Sequence, residues 1–427
     1  MQKVNINELV KGMLSLQDQG EYVTALGIGP MSSSLLQASF ELAKEKDFPL
    51  MFIASRNQVD SMELGGGYVC NWDQASFVGA IADTSKKVGF EGLYYVCRDH
   101  GGPWQRDNER NAHLEESLAM ELGKQSYIED MKQGFDLLHI DPTKDPFEMG
   151  KVIPMETVLR RTIELIEFCE NERKKLGLPE IGYEVGTEET NGGLTSTETY
   201  ETFIKNLNKE LEARQLPTPT FIVGQTGTLV KKTENVGTFN GKSAKQLADI
   251  AKKYGVGLKE HNGDYIDDHI LLQHLPLGIT ATNVAPLFGT EETRAYLELI
   301  KVEKQLVEVG LLKAPSNLEQ VLKIQAIKSE RWRKWMVGDQ SKLGVEEVLD
   351  DQELTEQILD IAGHYTFNEE EVKQEIEQLF NNLKECSIDG ERFVVNRIKR
   401  SINQYVECFN LEGSTTRILE QVEYTLL

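Results

Sequence analysis

The chain has 427 residues, 40% of them hydrophobic and 27% charged, an ordinary globular composition with ample material for a large core. Acidic residues outnumber basic ones 69 to 46, a net charge of −23. That excess argues against sequence-independent nucleic-acid binding and against docking on anionic membranes, since both need basic surface. A pocket can still be locally basic.

In chain order, eight segments rich in apolar or β-branched residues read as strands. They are Val23–Ile28, Leu50–Ala54, Leu93–Cys97, Leu137–Ile140, Ile181–Val185, Thr220–Val223, Val256–Lys259 and Leu277–Thr282. Amphipathic stretches lie between them: Ser33–Lys46, Trp72–Val88, Leu114–Gln133, Met155–Leu176, Ser196–Arg214 and Ser243–Tyr254. Strands alternating with helices imply a parallel sheet. Eight such units imply a closed (β/α)8 TIM barrel over residues 1–300, with an open doubly wound sheet as the structural alternative. Thr195-x-x-Glu198 predicts a capping box. Thr290 predicts an N-cap ahead of a helix whose first turn holds Glu291 and Glu292. Beyond it the pattern stays helical, over Glu291–Val309, Leu318–Met336 and Phe367–Leu383, the last announced by Thr366-x-x-Glu369. Residues 301–427 are therefore expected to form a helical extension packed on the barrel. No apolar run approaches the roughly 20 residues that span a bilayer, and the start MQKVNINELVKGM lacks a signal core. The five cysteines form no CxxC pair, which suits free thiols in a reducing, cytoplasmic setting.

In a barrel of this kind, chemistry sits at the C-terminal ends of the strands. The third strand ends in Asp99-His100-Gly101-Gly102, an acid beside an imidazole. One reading is a general base next to a metal ligand; the other is a turn in which Asp99 caps a helix. The fourth ends in His139-Ile140-Asp141, whose outer members face one way on a strand; Asp141 could equally cap the turn begun by Pro142. Glu184 and Glu188 follow on the fifth, weak signals singly because surface glutamates are common. The sixth ends in Gly224-Gln225-Thr226-Gly227, a weak phosphate-cradle signal. The seventh ends in His261-Asn262-Gly263-Asp264. Of seven histidines, His100, His139 and His261 fall at strand ends, which favours a metal site with room for substrate oxygens. The Arg331-Trp332-Arg333-Lys334-Trp335 segment looks like a nucleic-acid patch, but its tryptophans are three apart, so a buried helical face with solvated charges is expected.

These elements resemble, in order and spacing, the GatZ/KbaZ-type accessory subunits of class II tagatose-1,6-bisphosphate aldolase. The matching elements are Ser55-Arg56-Asn57-Gln58-Val59, Gly66-Gly67-Tyr68, Lys87-Val88-Gly89-Phe90 and Asp99-His100-x-Gly102-Pro103. Gly134-Phe135-x-x-x-His139-Ile140-Asp141, Gly186-Thr187-Glu188 and His261-x-x-Asp264-Tyr265 follow. The resemblance spans about residues 20 to 300 and implies a TIM barrel related to zinc-dependent ketose-bisphosphate aldolases and ketose-phosphate 4-epimerases. It implies catalytic roles for Asp99, Glu188 and Asp141, and metal ligation by His100, Glu188, Gln225 and His261. It implies substrate contacts from Asn57, Gln58, His139, Gly263, Asp264 and Asn283. Zinc is the expected divalent metal; Gln225 at a histidine position admits manganese or magnesium. The eighth strand lacks the phosphate-binding lysine of catalytic relatives, so phosphate there would rest on backbone and Asn283. Two functions follow as expectations. One is an enzyme acting at C3–C4 of a tagatose- or fructose-type ketohexose or its phosphate. The other is a non-catalytic subunit stabilising a class II aldolase partner. A homo-oligomer is expected in either case. A kinase has no support in a GxxxxGK[ST] loop.

Overall fold

Eight parallel strands close into a ring. The computed structural model describes residues 4–148, 151–187 and 193–426. Its barrel strands are β1 (Ala25–Ile28), β2 (Leu50–Ala54), β3 (Tyr94–Gly101), β4 (Leu137–Ile140), β5 (Gly182–Val185), β6 (Phe221–Val223), β7 (Gly257–Glu260) and β8 (Ala281–Val284). Neighbours pair in chain order, and β8 closes on β1 with Asn283 opposite Gly27. Helices follow the strands and cover the outside, so strand residues are buried on both faces. Alternation sorts the polar ones. Arg98 and Tyr183 turn outward to Asp130 and Glu170, while Asp99 and Glu184 turn into the barrel. Near its end, β3 departs from full burial at Asp99 and His100, which reach solvent.

The C-terminal extension is packed on the barrel. Helix Gly390–Cys408 lies against Ser33–Lys46 and Pro286–Glu308, and helix Ser414–Leu426 lies against Ile6–Asp18. One apolar core consequently runs from Ile6 to Ile418. A smaller one gathers Trp332, Ile358 and Tyr365 beside it. Residue 300 falls inside the helix Pro286–Glu308, which joins barrel and extension.

Several local expectations are corrected. The eighth strand begins at Ala281, because Leu277 ends a short helix that Gly278 closes in the left-handed region at φ +81°. The helix after β5 is capped by Ser196; the Thr195 hydroxyl instead accepts the Gln225 backbone N–H at 2.8 Å. The helix after β8 begins at Pro286, whose fixed φ suits a first helical position. Thr290 thus lies inside that helix. Thr366 closes a 3-10 turn by donating to the Gly363 carbonyl, and the next helix starts at Glu370. The Leu318 helix stops at Lys328, where Glu330 takes φ +53°; Arg331–Trp335 is a separate 3-10 turn.

Candidate metal centre

Adjacent residues on a strand should point to opposite faces, yet Asp99 and His100 both reach the barrel mouth. A bulge resolves this. The pairing of β3 with β4 shifts register between Arg98 and Gly101, and His100 adopts φ +43°. Such a bulge re-aims a side chain, here at the cost of a conformation that a non-glycine residue seldom takes. The His100 backbone N–H then donates to His139 Nδ1 at 3.0 Å.

The three imidazoles of His100, His139 and His261 have ring centres 4.9–5.2 Å apart. Asp99 Oδ1 faces all three, 3.9 Å from His100 Nε2, 3.7 Å from His139 Nδ1 and 3.8 Å from His261 Nδ1. One ligand atom from each of these four residues lies within 4.8 Å of all the others. Asn283 Nδ2 donates to Asp99 Oδ1 at 3.1 Å and holds it in place.

Carboxylates behind the rings fix their tautomers. Asp141 Oδ2 is 2.7 Å from His100 Nδ1, and Glu184 Oε1 is 2.7 Å from His261 Nε2. Burial works to raise both carboxyls. For Asp141 the hydrogen bond to His100 and the charge of His139 overcome it and hold the group far below its usual range. For Glu184 the Lys259 ammonium, 2.5 Å away, leads in bringing it down to about 2. Ionised carboxylates only accept, so the hydrogens sit on His100 Nδ1 and His261 Nε2. Their other nitrogens, His100 Nε2 and His261 Nδ1, face each other at 3.2 Å with lone pairs exposed. Two imidazole nitrogens sharing one tetrahedral zinc, each about 2.0–2.1 Å from it, lie about 3.3 Å apart. The donor set therefore fits a divalent cation. His139 Nε2 is buried without a hydrogen-bond partner among the described residues, facing Gly186. A Cβ at Gly186 would lie 3.0 Å from Asp141 Oδ1 and 3.3 Å from that nitrogen.

The centre opens into a pocket of about 350 Å³, within the range of small-molecule sites, about 300–1,000 Å³. Asn57, Gln58, Asp264 and Asn283 line it. Asn57 also accepts the Asp107 N–H and donates to the Gln105 carbonyl, tying the loops after β2 and β3 together. Asp264 accepts the N–H groups of Ala285 and Leu287, serving the Pro286 helix as a remote cap; burial raises its carboxyl to about 7. Gly263 packs against β8, where a Cβ would meet Thr282 Cγ2 at 2.1 Å. Gln225 is buried at the end of β6. Glu188 lies outside the described residues.

His139, expected at the substrate, thus stands in the four-residue group. Lys259 escaped the sequence reading; its two-residue spacing from His261 was the available signal. Lys334, Trp335 and Tyr365 also line the pocket, and only long-range packing brings them there.

Residues 10–425 match the family described as D-tagatose-1,6-bisphosphate aldolase subunit GatZ/KbaZ-like. The chain belongs to that family. No curated protein matches it by sequence. Among solved structures, this family member is similar to a probable tagatose 6 phosphate kinase from Sinorhizobium meliloti 1021, with TM-score 0.68 and 17% identity over 94% of this chain and 98% of the other. It is also similar to the fructose-bisphosphate aldolase Fba from Campylobacter jejuni, with TM-score 0.52 and 12% identity over 96% of each. A third is the fructuronate-tagaturonate epimerase UxaE from Cohnella laeviribosi, with TM-score 0.51 and 12% identity over 91% and 81%. At these identities the likeness carries the fold. Among the described residues, no helix is long and apolar enough to cross a membrane.

Proposed function

We propose that this protein is a divalent-metal-dependent carbohydrate enzyme acting at C3–C4 of a ketohexose or ketohexose phosphate of the tagatose or fructose type. Its chemistry is retro-aldol and aldol, ending in cleavage or in inversion at C4. The observation that carries the reading is the facing pair of lone pairs on His100 and His261, each backed by an ionised carboxylate at the mouth of a pocket. Membership of a family named for a tagatose-bisphosphate aldolase supports the sugar class.

His100 and His261 would hold the ion through their facing nitrogens, with His139 and Asp99 beside it, and zinc is the expected metal for an imidazole-rich set. When bound, a divalent cation supplies Lewis acidity toward a ketose carbonyl and its neighbouring hydroxyl. The chain's own groups do the rest. Burial works against the Asp99 carboxylate, but His100, His139 and His261 hold it well below its usual value, so it is ionised at neutral pH. In this reading it takes the proton of the C4 hydroxyl as the C3–C4 bond opens and returns it on closure. Asn283 orients it. Asp141 has both oxygens engaged, one by His100 and one by Thr143, so it acts as a positioning residue for His100. Asn57, Gln58 and Asp264 line the space the sugar would fill. The free cysteines suit a cytoplasmic enzyme.

The test is metal analysis coupled to an NMR assay with fructose 6-phosphate, tagatose 6-phosphate, the 1,6-bisphosphates and the free ketoses. About one metal per chain and turnover at C3–C4, both lost in His100→Ala, are expected. Bound metal without turnover of any ketose would overturn the enzyme reading. The family's subunit description would then favour a stabilising role beside a class II aldolase, checked by co-purification with such a chain.

A further inference from the structure

The pocket's chemistry is divided. Its floor, at the strand ends, carries Asp99, His100, His261 and Asn283. Its outer wall carries cations from four separate segments: Arg110, Lys144, Lys231 and Lys334. Asp107 lies among them, paired with Arg110. The wall is built where two distant segments clasp. A hairpin after β6 pairs Val230 with Asn235. From it, Lys231 Nζ donates to the Lys334 carbonyl at 3.1 Å and the Lys232 N–H donates to the Trp335 carbonyl at 2.9 Å. The 3-10 turn Arg331–Trp335 is anchored by buried Trp332, whose indole N–H donates to the Ile327 carbonyl. Trp335 is held by its indole N–H to Tyr365 Oη at 2.8 Å.

Lys334 and Arg110 are held on that wall in different ways. The Lys334 ammonium lies over the Trp335 ring at 4.6 Å and the Tyr365 ring at 5.6 Å, and it forms no ion pair among the described residues. Arg110, by contrast, is paired with Asp107 and donates to the Trp104 carbonyl. Lys334 is exposed at the pocket, and the carboxylate that acts on its ammonium from a distance is Asp107. A lone ammonium facing a small-molecule pocket is poised for an anion that arrives with the ligand.

We propose that Lys334 is a specificity-determining residue that binds an anionic group at the end of the sugar remote from the histidines, with Lys231 beside it. The C-terminal extension thereby supplies part of the substrate site. This inference rests on the sugar-enzyme reading above, and it stands in for the lysine that β8 lacks. Phosphate ester and carboxylate share the required chemistry.

The test is calorimetric titration of the metal-loaded full chain with inorganic phosphate, a ketohexose 6-phosphate, the corresponding C6 carboxylate and the neutral ketose. Lys334→Gln is expected to weaken the anionic ligands about 10- to 100-fold, the contribution of one charged hydrogen bond, and to leave the neutral ketose unchanged. Among the described residues Lys334 makes no side-chain hydrogen bond, so the variant should fold; Lys231→Gln, a second variant, should show a smaller loss of the same kind. The larger loss, on phosphate or on carboxylate, names the anion. Equal weakening of anionic and neutral ligands, or no binding of any anion by the unaltered chain, would overturn the proposal. Phosphate binding that depends on Lys334 in a chain that turns over no sugar would uphold the anion site while removing the enzyme reading.

Discussion

Two dense charge clusters flank β3, and they differ in how they balance. On its outer side, Arg56, Arg98 and Arg106 meet Asp60, Asp130 and Glu109, three cations for three anions. Both oxygens of Asp130 take the Arg98 guanidinium, at 2.5 and 2.8 Å. Gln74 bridges Asp60 and Asp130, and Ser126 completes the shell of Asp60. On its inner side, Asp99, Asp141 and Glu184 have Lys259 as their one ion-paired cation, with three imidazoles around them. Among the described residues, and with the rings neutral as metal ligation requires, two of the three carboxylates on that side have no cation paired with them. A closed ledger of charge marks a structural cluster, and an open one marks a place for a guest.

The sharpest way to break the comparison is to open the closed cluster. Asp130→Ala leaves the Arg98 guanidinium buried without its partner and should cost about 3–5 kcal/mol in urea unfolding. His100→Ala in the metal-free chain should cost less, about 1–2 kcal/mol, since it separates two facing lone pairs but also removes the hydrogen bond to Asp141, and alanine keeps the same backbone angle. Equal losses would show that both clusters are structural.

Glu292 offers an intermediate case, a single buried carboxyl with hydroxyl partners Ser32 and Tyr296 and, among the described residues, no cation paired with it. Burial raises it from 4.5 to about 7. The folded state keeps this proton where the unfolded chain has lost it. Its contribution is full below about pH 4.5, declines as pH rises to about 7, and is level beyond. Glu292→Gln removes that decline, so the variant's stability relative to the parent should improve by about 2–3 kcal/mol between pH 5 and pH 8. A difference independent of pH would refute the assignment.

Asp141→Asn keeps the shape of the inner cluster but removes the charge behind His100. Competitive chelation should find metal affinity reduced about 10- to 100-fold, with apo stability nearly unchanged. At the small end, Lys245→Ala breaks the exposed pair with Asp249 and should shift stability by less than about 0.5 kcal/mol. That sets the floor against which the other effects are read.

Much of this was legible in the sequence because strand patterning is local. Seven of the eight strands fall within a few residues of their expected places, and the spacing of His139 and Asp141 predicted their shared face. The eighth strand slipped because Leu277-Gly278-Ile279 reads as apolar strand until Gly278 is seen to close a helix. The bulge at His100 left no trace in composition, so alternation alone would have set Asp99 and His100 on opposite faces. Lys334 was least legible. The tryptophan spacing predicts a helix with a buried face and solvated charges; Trp332 is buried and Lys334 exposed, but the segment is a 3-10 turn that the clasp with Lys231 holds at the pocket.

The end of the chain also governs when the barrel can be finished. The N–H of Thr24, just before β1, donates to the carbonyl of Phe409, and the Tyr405 hydroxyl donates to Gly263 beside the histidines. These contacts join segments 385 and 142 residues apart. A growing chain must therefore carry its first strand and its site loop with those groups open until the final helices emerge. Long-range closure of this kind slows folding and leaves intermediates exposed to aggregation.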